Sequence, residues 1–205
     1  MTPIPAIIID RCRSQQPHRN TNEGVFMHER RYRQGAAILR NSERLARLEV
    51  DRVLQLVTRD ADIHSILDVG TGSGVFAEAF AKSGFSVEGI DANPEMIAEA
   101  EKALPGIHFS IGIAESLPFQ DQTFDLVFMG LLLHETDDRL KAIKEGARVA
   151  RKRVAILEWP YQVQDFGPSL EERLQEEQIM QMATQAGFQK VAVFPLHTLV
   201  LFCLS

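Results

Sequence analysis

The apolar positions of this chain fall into two textures. Between Val25 and Val57, Ile38, Leu39, Leu45, Leu48, Val53, Leu54 and Val57 recur at three- and four-residue spacings, the period of a helix. That stretch predicts one long helix or two shorter ones. After "TRDADIHS" the pattern changes: short runs rich in β-branched and aromatic residues alternate with helical stretches. The runs predict strands at Ser65–Val69, Ser86–Asp91, Ile107–Ile111, Phe124–Gly130 and Arg153–Glu158. The stretches between predict helices at Gly74–Lys82, Pro94–Leu104 and Asp137–Ala150, with Pro94 at the favoured first helical position.

Strands alternating with helices imply βαβ units, and therefore a parallel sheet covered on both faces with right-handed crossovers. A last helix is predicted over Leu170–Ala186, with Gly187 suited to its C′ position. Two closing runs, Phe188–Phe194 and Thr198–Leu204, are separated by a spacer too short for a helical crossover, so they read as a hairpin. The fold class expected is α/β, a doubly wound, mostly parallel sheet with an antiparallel C-terminal hairpin and a helical N-terminal extension. The domain division expected is 1–61 for the extension or helical cap and 62–205 for the core.

Within this frame "ILDVGTGSG" (residues 66–74) stands out, a strand running directly into glycines at 70, 72 and 74. Ligands of open α/β sheets bind at the carboxyl ends of strands, and glycines there allow positive φ and close approach of a ligand to the main chain. A dinucleotide fingerprint would need a glycine at Val75, and no Walker lysine follows, so neither of those sites is expected. Asp91, at the end of the next strand in "VEGIDANPEM", places a carboxylate at the same crevice, where it can accept from both hydroxyls of a ribose. Its plain alternative is a helix cap before Pro94, a task that Asn93 fills better. Glycine turn and Asp91 together indicate an adenosine-type ligand.

Four segments in this order resemble the class I S-adenosylmethionine-dependent methyltransferases, and more narrowly the branch that includes ubiquinone/menaquinone-biosynthesis enzymes (methyltransferase type 11). "LDVGTGSG" is similar to the family's D-x-G-x-G-x-G cofactor loop, and "GIDANPEMI" to its ribose segment. "GIAESLPFQDQTFDLVFMGLLLHE" resembles the adenine segment with the fourth strand, and the terminal "AGF" with two strands resembles the closing hairpin. The likeness runs from about Ile63 to Ser205. It implies a Rossmann-like seven-stranded sheet of order 3-2-1-4-5-7-6, with the last strand antiparallel. It also implies S-adenosyl-L-methionine as cofactor and S-adenosyl-L-homocysteine as product.

Carried over by position, Asp68, Gly70, Thr71 and Gly72 would line the methionine end of the cofactor, Asp91 would take the ribose hydroxyls, and Ala92 and Ala114 would lie beside adenine. The family often has an Asp immediately before that alanine. Here Ile113 stands there, and Glu115 is the available substitute.

His134, closing "FMGLLLHE" at the end of the fourth strand, is the candidate general base, because histidine titrates near neutrality. Its alternative is a histidine that caps the next helix or stacks beside the cofactor, and Glu135 carries the same ambiguity. Aromatic residues for a lid over a flat, small acceptor are available in "VFMHERRYRQ" (Phe26, His28, Arg31, Tyr32) and in "EWPYQVQDFGPSL" (Trp159, Tyr161, Phe166).

Composition narrows the partners. The 205 residues are 45% apolar and 24% charged, ordinary for a globular protein, with a net charge of −6. The charge is uneven, since residues 1–60 hold eleven arginines and no lysine against seven acids, while the rest is acidic. An acidic core and the absence of an N-P-P-Y-type motif after the fourth strand oppose a nucleic-acid substrate. The Arg-rich segment is the one feature in favour of an RNA or protein methyltransferase. Two cysteines, Cys12 and Cys203, are too few for a disulfide framework, and Cys12, His18 and His28 match no zinc spacing, so no metal is expected. No signal peptide or membrane span is expected, and the default location is cytoplasmic.

The function expected is methyl transfer to a small-molecule acceptor. A protein that binds S-adenosylmethionine or another nucleoside without turnover is the alternative. Homodimerisation through the N-terminal helix stays open.

Overall fold

The computed structural model describes residues 40–205. The sequence expectations for Cys12, His18, Phe26, His28, Arg31 and Tyr32 lie outside the described residues. The described chain opens with two helices, α1 (Ser42–Leu48) and α2 (Val50–Thr58). They are two rather than one because Glu49 between them adopts a left-handed φ of 44°, which interrupts the helical hydrogen bonding. Asn41 caps α1, its side chain accepting from the Glu43 amide at 2.8 Å.

Strands and helices then alternate as β1 (Ser65–Val69), α3 (Val75–Lys82), β2 (Ser86–Asp91), α4 (Pro94–Ala103), β3 (His108–Ile111), β4 (Phe124–Gly130), α5 (Arg139–Val149) and β5 (Ala150–Glu158). A 3₁₀ turn at Leu133–Glu135 precedes α5. Helix α6 (Glu176–Gln185) leads into β6 (Val191–Pro195) and β7 (Val200–Leu204). Asn93 caps α4 by accepting from the Glu95 amide at 2.9 Å, and Pro94 opens the helix.

The seven strands form one sheet of order β3-β2-β1-β4-β5-β7-β6. Pairings are parallel from β3 across to β5, while β7 runs antiparallel to both β5 and β6. This is the topology the sequence implied. Period-two alternation sorts the central strands between two cores. Ile66, Leu126, Phe128, Ala155, Leu157 and Leu201 join α2 (Val53, Leu54, Val57) and α3 (Phe76, Phe80) on one face. Leu67, Val127, Met129, Val154, Ile156 and Phe202 join α5 (Ala142, Ile143) and α6 (Ile179, Ala183) on the other. Residues 42–58 are therefore built into the same core as the sheet.

Several boundaries depart from the sequence reading, among them the starts of β5, β6 and the final helix. Strand β5 begins at Ala150 rather than Arg153, pairing across a register shift opposite Phe124–Leu126. The final helix begins at Glu176 rather than near Leu170. The reason is Arg173, only 4% exposed. Its guanidinium donates to the carbonyls of Pro160, Gln162, Phe166 and Pro168 and to Gln164 Oε1, at 2.6–3.2 Å. A side chain that gathers five acceptors holds residues 160–175 as a compact loop, and the helix starts only where Gln178 accepts from the Gln175 amide. No helix among the described residues is long and apolar enough to cross a membrane.

Candidate functional site

At the end of β1 the chain turns through Gly70, Gly72 and Gly74, whose φ values are 71°, 53° and 76°. All three lie in the left-handed region that side chains rarely enter, which accounts for the glycines. The Gly70 and Thr71 amides donate to the Ile90 carbonyl at 2.8 and 3.1 Å, tying the turn to β2. Asp91, at the tip of β2, completes the tie. Its Oδ2 accepts from the Gly72 amide at 2.8 Å and its Oδ1 from the Asn93 amide at 2.8 Å.

A cleft of about 130 Å³ opens over this turn at the carboxyl ends of β1, β2 and β4. Gly70, Gly72 and Asp91 form its floor; Ala92, Ile113 and Ala114 form an apolar side. Glu115, Leu131 and Glu135 also face it, as does Arg44 from α1, a residue the sequence reading missed because the helical period alone does not say which polar face is turned to the sheet edge.

Asp68 and Thr71 stand apart from that cleft. Asp68 is 2% exposed, and its Oδ2 accepts from the Thr71 hydroxyl at 2.7 Å and from the Ala77 amide at 3.1 Å. Burial pushes this carboxyl up to about 7 against the pull of those two donors, and the charge of Asp91 adds to the rise. Both residues border a smaller cavity of about 60 Å³ under the turn, together with Ser73. The Ser73 hydroxyl is buried with no hydrogen-bond partner among the described residues. An orphaned hydroxyl beneath bare main chain, an acid at the β2 tip and an apolar slot are the groups that an amino acid end, a ribose and an adenine would need. The residues present fit S-adenosylmethionine.

Glu115 is 7% exposed and already engaged, its Oε1 accepting from the Asp137 and Asp138 amides at 3.1 and 3.4 Å. It fastens the loop before α5 rather than standing free in the place of the missing acid at 113.

His134 is 9% exposed. Its Nδ1 lies 2.9 and 3.1 Å from the two carboxylate oxygens of Glu158, which also accepts from the His134 and Trp159 amides, and its Nε2 lies 3.6 Å from Glu135. Burial opposes the imidazolium, but the charges and hydrogen bonds of Glu158 and Glu135 prevail and raise it to about 10. The ring thereby ties the 3₁₀ turn after β4 to the end of β5, and a proton held this firmly favours a positioning role over that of a general base. Its partner Glu158 carried no signal in the sequence, since an acid closing an apolar strand reads as a boundary.

A third cavity, of about 250 Å³, lies between α1 and the loop after β5, walled by Trp159, Phe166 and Leu199. Leu131 and Arg44 border all three cavities.

Comparison with known proteins agrees with this geometry. Residues 67–157 match the family described as "Methyltransferase domain". A demethylmenaquinone methyltransferase of Chlorobaculum parvum is 44% identical over 87 residues, covering 42% of this chain and 36% of that protein. Norajmaline N-methyltransferase of Rauvolfia serpentina is 31% identical over 160 residues, covering 72% and 55% respectively. The chain thus spans about a third to a half of the length of these curated relatives. The crystal structure of a SAM-dependent methyltransferase from Aquifex aeolicus superposes with a TM-score of 0.75 at 25% identity, covering 82% of this chain and 95% of that one. Sheet order, glycine turn and sequence match agree: residues 67–157 carry a methyltransferase domain, the chain has the fold of the class I S-adenosylmethionine-dependent methyltransferases, and its cofactor is S-adenosylmethionine.

Proposed function

We propose that the protein transfers a methyl group from S-adenosylmethionine to a small-molecule acceptor, and that residues 62–205 form the catalytic core, preceded in sequence by an N-terminal extension, residues 1–61. The observation that carries this reading is the Asp91 carboxylate fastened to the Gly72 amide at the edge of a cleft, with the apolar slot of Ala92, Ile113 and Ala114 beside it. In this reading Asp91 receives the ribose hydroxyls and Ala92 and Ala114 flank adenine. Gly70 and Gly72 present bare main chain to the methionine part, while Asp68 and Thr71 hold that main chain in place from beneath. Glu115 supports the site by fixing the loop before α5.

When bound at Gly70, Gly72 and Asp91, the cofactor would supply an activated methyl group on its sulfonium for a lone pair of the acceptor, and would be left as S-adenosylhomocysteine. The protein's part is to hold donor and acceptor in line and to exclude water. Leu131, between the cleft and the cavity beyond, is placed to keep the reacting atoms in an apolar passage. His134 acts by position, clamping β4 to β5 through Glu158 so that this passage keeps its shape.

Support for a small acceptor comes from the size of the cavities and from two relatives whose names specify one, demethylmenaquinone and norajmaline. A cytoplasmic location goes with this reading, as does the buried free thiol Cys203. The test is incubation with methyl-labelled cofactor and a small-molecule fraction of cell extract. Labelled product of low molecular mass supports the proposal. Cofactor binding without any transfer turns the reading into that of a binding protein.

A further inference from the structure

Arginine surrounds the 250 Å³ cavity beyond Leu131. Arg44 and Arg47 of α1 line it directly. The Arg47 guanidinium lies 4.4 Å from the centre of the Phe166 ring, stacked against one wall. Arg173 stands behind another wall, 5.4 Å from the Trp159 ring, and among the described residues its hydrogen bonds go to carbonyl or amide oxygens and to no carboxylate. Among the described residues, the single acid in the lining is Glu43, 81% exposed and 3.6 Å from Arg47. Charge at so exposed a position is screened by water, whereas Arg173 is buried. Among the described residues the lining thus carries two arginines against one exposed acid, in a chain whose net charge is −6.

The rest of the lining is apolar: Leu48, Leu131, Trp159, Phe166 and Leu199. Aromatic walls and a guanidinium fork together recognise a flat or branched apolar body with an anionic end, and the planar fork matches a carboxylate. A volume near 250 Å³ is below the roughly 300–1,000 Å³ of sites for drug-sized ligands, so the body is compact. Leu131 lines both this cavity and the cleft, and its amide donates to the Leu157 carbonyl at 2.8 Å.

We propose that this cavity is the acceptor subsite and that it selects a compact apolar carboxylate, whose anionic group Arg47 and Arg44 hold while its nucleophilic atom faces the cleft past Leu131. The inference rests on the methyltransferase reading above.

The test is ligand-observed NMR on the full chain saturated with S-adenosylhomocysteine, using hydrocinnamate, phenylacetate and 4-methylvalerate against their primary amides. The expected result is that acids bind about tenfold or more tightly than amides. Arg47→Gln should abolish this preference and Trp159→Ala should weaken both series. Arg47 does not border the cleft, so Arg47→Gln should bind S-adenosylmethionine as the parent protein does. Acids that bind no better than amides, an acid preference that survives Arg47→Gln, or no binding by any probe would each overturn the proposal. Failure of the parent protein to bind S-adenosylmethionine at all would sink the underlying reading instead, so the two failures are told apart.

Discussion

Asp91 accepts the Gly72 amide at 2.8 Å, a side-chain bond between residues nineteen apart in sequence that completes the tie between the two halves of the site. The same carboxylate accepts from the Asn93 amide through its other oxygen, so its plane is fixed before any ligand arrives. A carboxylate oriented in advance binds hydroxyls without the entropic cost of ordering itself.

The slot beside adenine lacks an acceptor in this account. Ile113 lines it, and Glu115 is committed to the Asp137 and Asp138 amides. Replacing Ile113 by Asp should therefore tighten S-adenosylmethionine by about tenfold, the worth of one charge-assisted hydrogen bond. Titration calorimetry of the variant checks it; unchanged or weaker binding would mean that adenine is met elsewhere.

His134 and Glu158 should behave as a pair. Removing either partner leaves a buried charge uncompensated, at a cost of about 3–5 kcal/mol, whereas His134→Gln with Glu158→Gln should be less destabilised than the sum of the single changes. Urea midpoints of the four proteins complete the cycle, and strict additivity would deny the coupling. At a temperature where His134→Gln stays folded, turnover should fall less than tenfold, too little for the loss of a general base.

The same pair sets a pH dependence. The folded-state pKa of His134 is raised above its ordinary 6.5 to about 10, so its contribution is complete below about pH 6.5 and is lost as pH rises through 10. Stability should decline over that window in the parent protein and stay flatter in His134→Gln. Parallel curves would show that the decline has another source.

Asp68 acts in a lower window. Its folded-state pKa is raised to about 7 from 3.8, so its contribution is complete below about pH 4 and is lost as pH rises through 7, with a slope of at most about 1.4 kcal/mol per pH unit. Asp68→Asn keeps an oxygen for the Thr71 hydroxyl and the Ala77 amide while removing the titration. Denaturation from pH 4 to 8 should lose this slope in the variant, and an unaltered profile would contradict the assignment.

The strands and helices were legible in the sequence because each strand is a bounded apolar run and each helix has its own punctuation, such as Asn93–Pro94 and Gly187, whereas the strand order came from the family resemblance. The glycine turn was legible because positive φ leaves few alternatives to glycine. Side-chain partnerships across the sheet edge were not. Nothing local in "FMGLLLHE" tells that His134 meets Glu158 twenty-four residues on, a contact that raises the imidazole pKa. Helical spacing near Leu170 suggested an early start to α6, and only the burial of Arg173 among loop carbonyls shows why those turns do not form.

The most direct measurement is calorimetric titration of S-adenosylmethionine into the parent protein and into Asp91→Ala, the latter checked by circular dichroism. The account predicts binding in the parent at about micromolar Kd, weakened at least about tenfold in the variant while the fold is kept. Equal affinity in both folded proteins, or no binding in either, would contradict it.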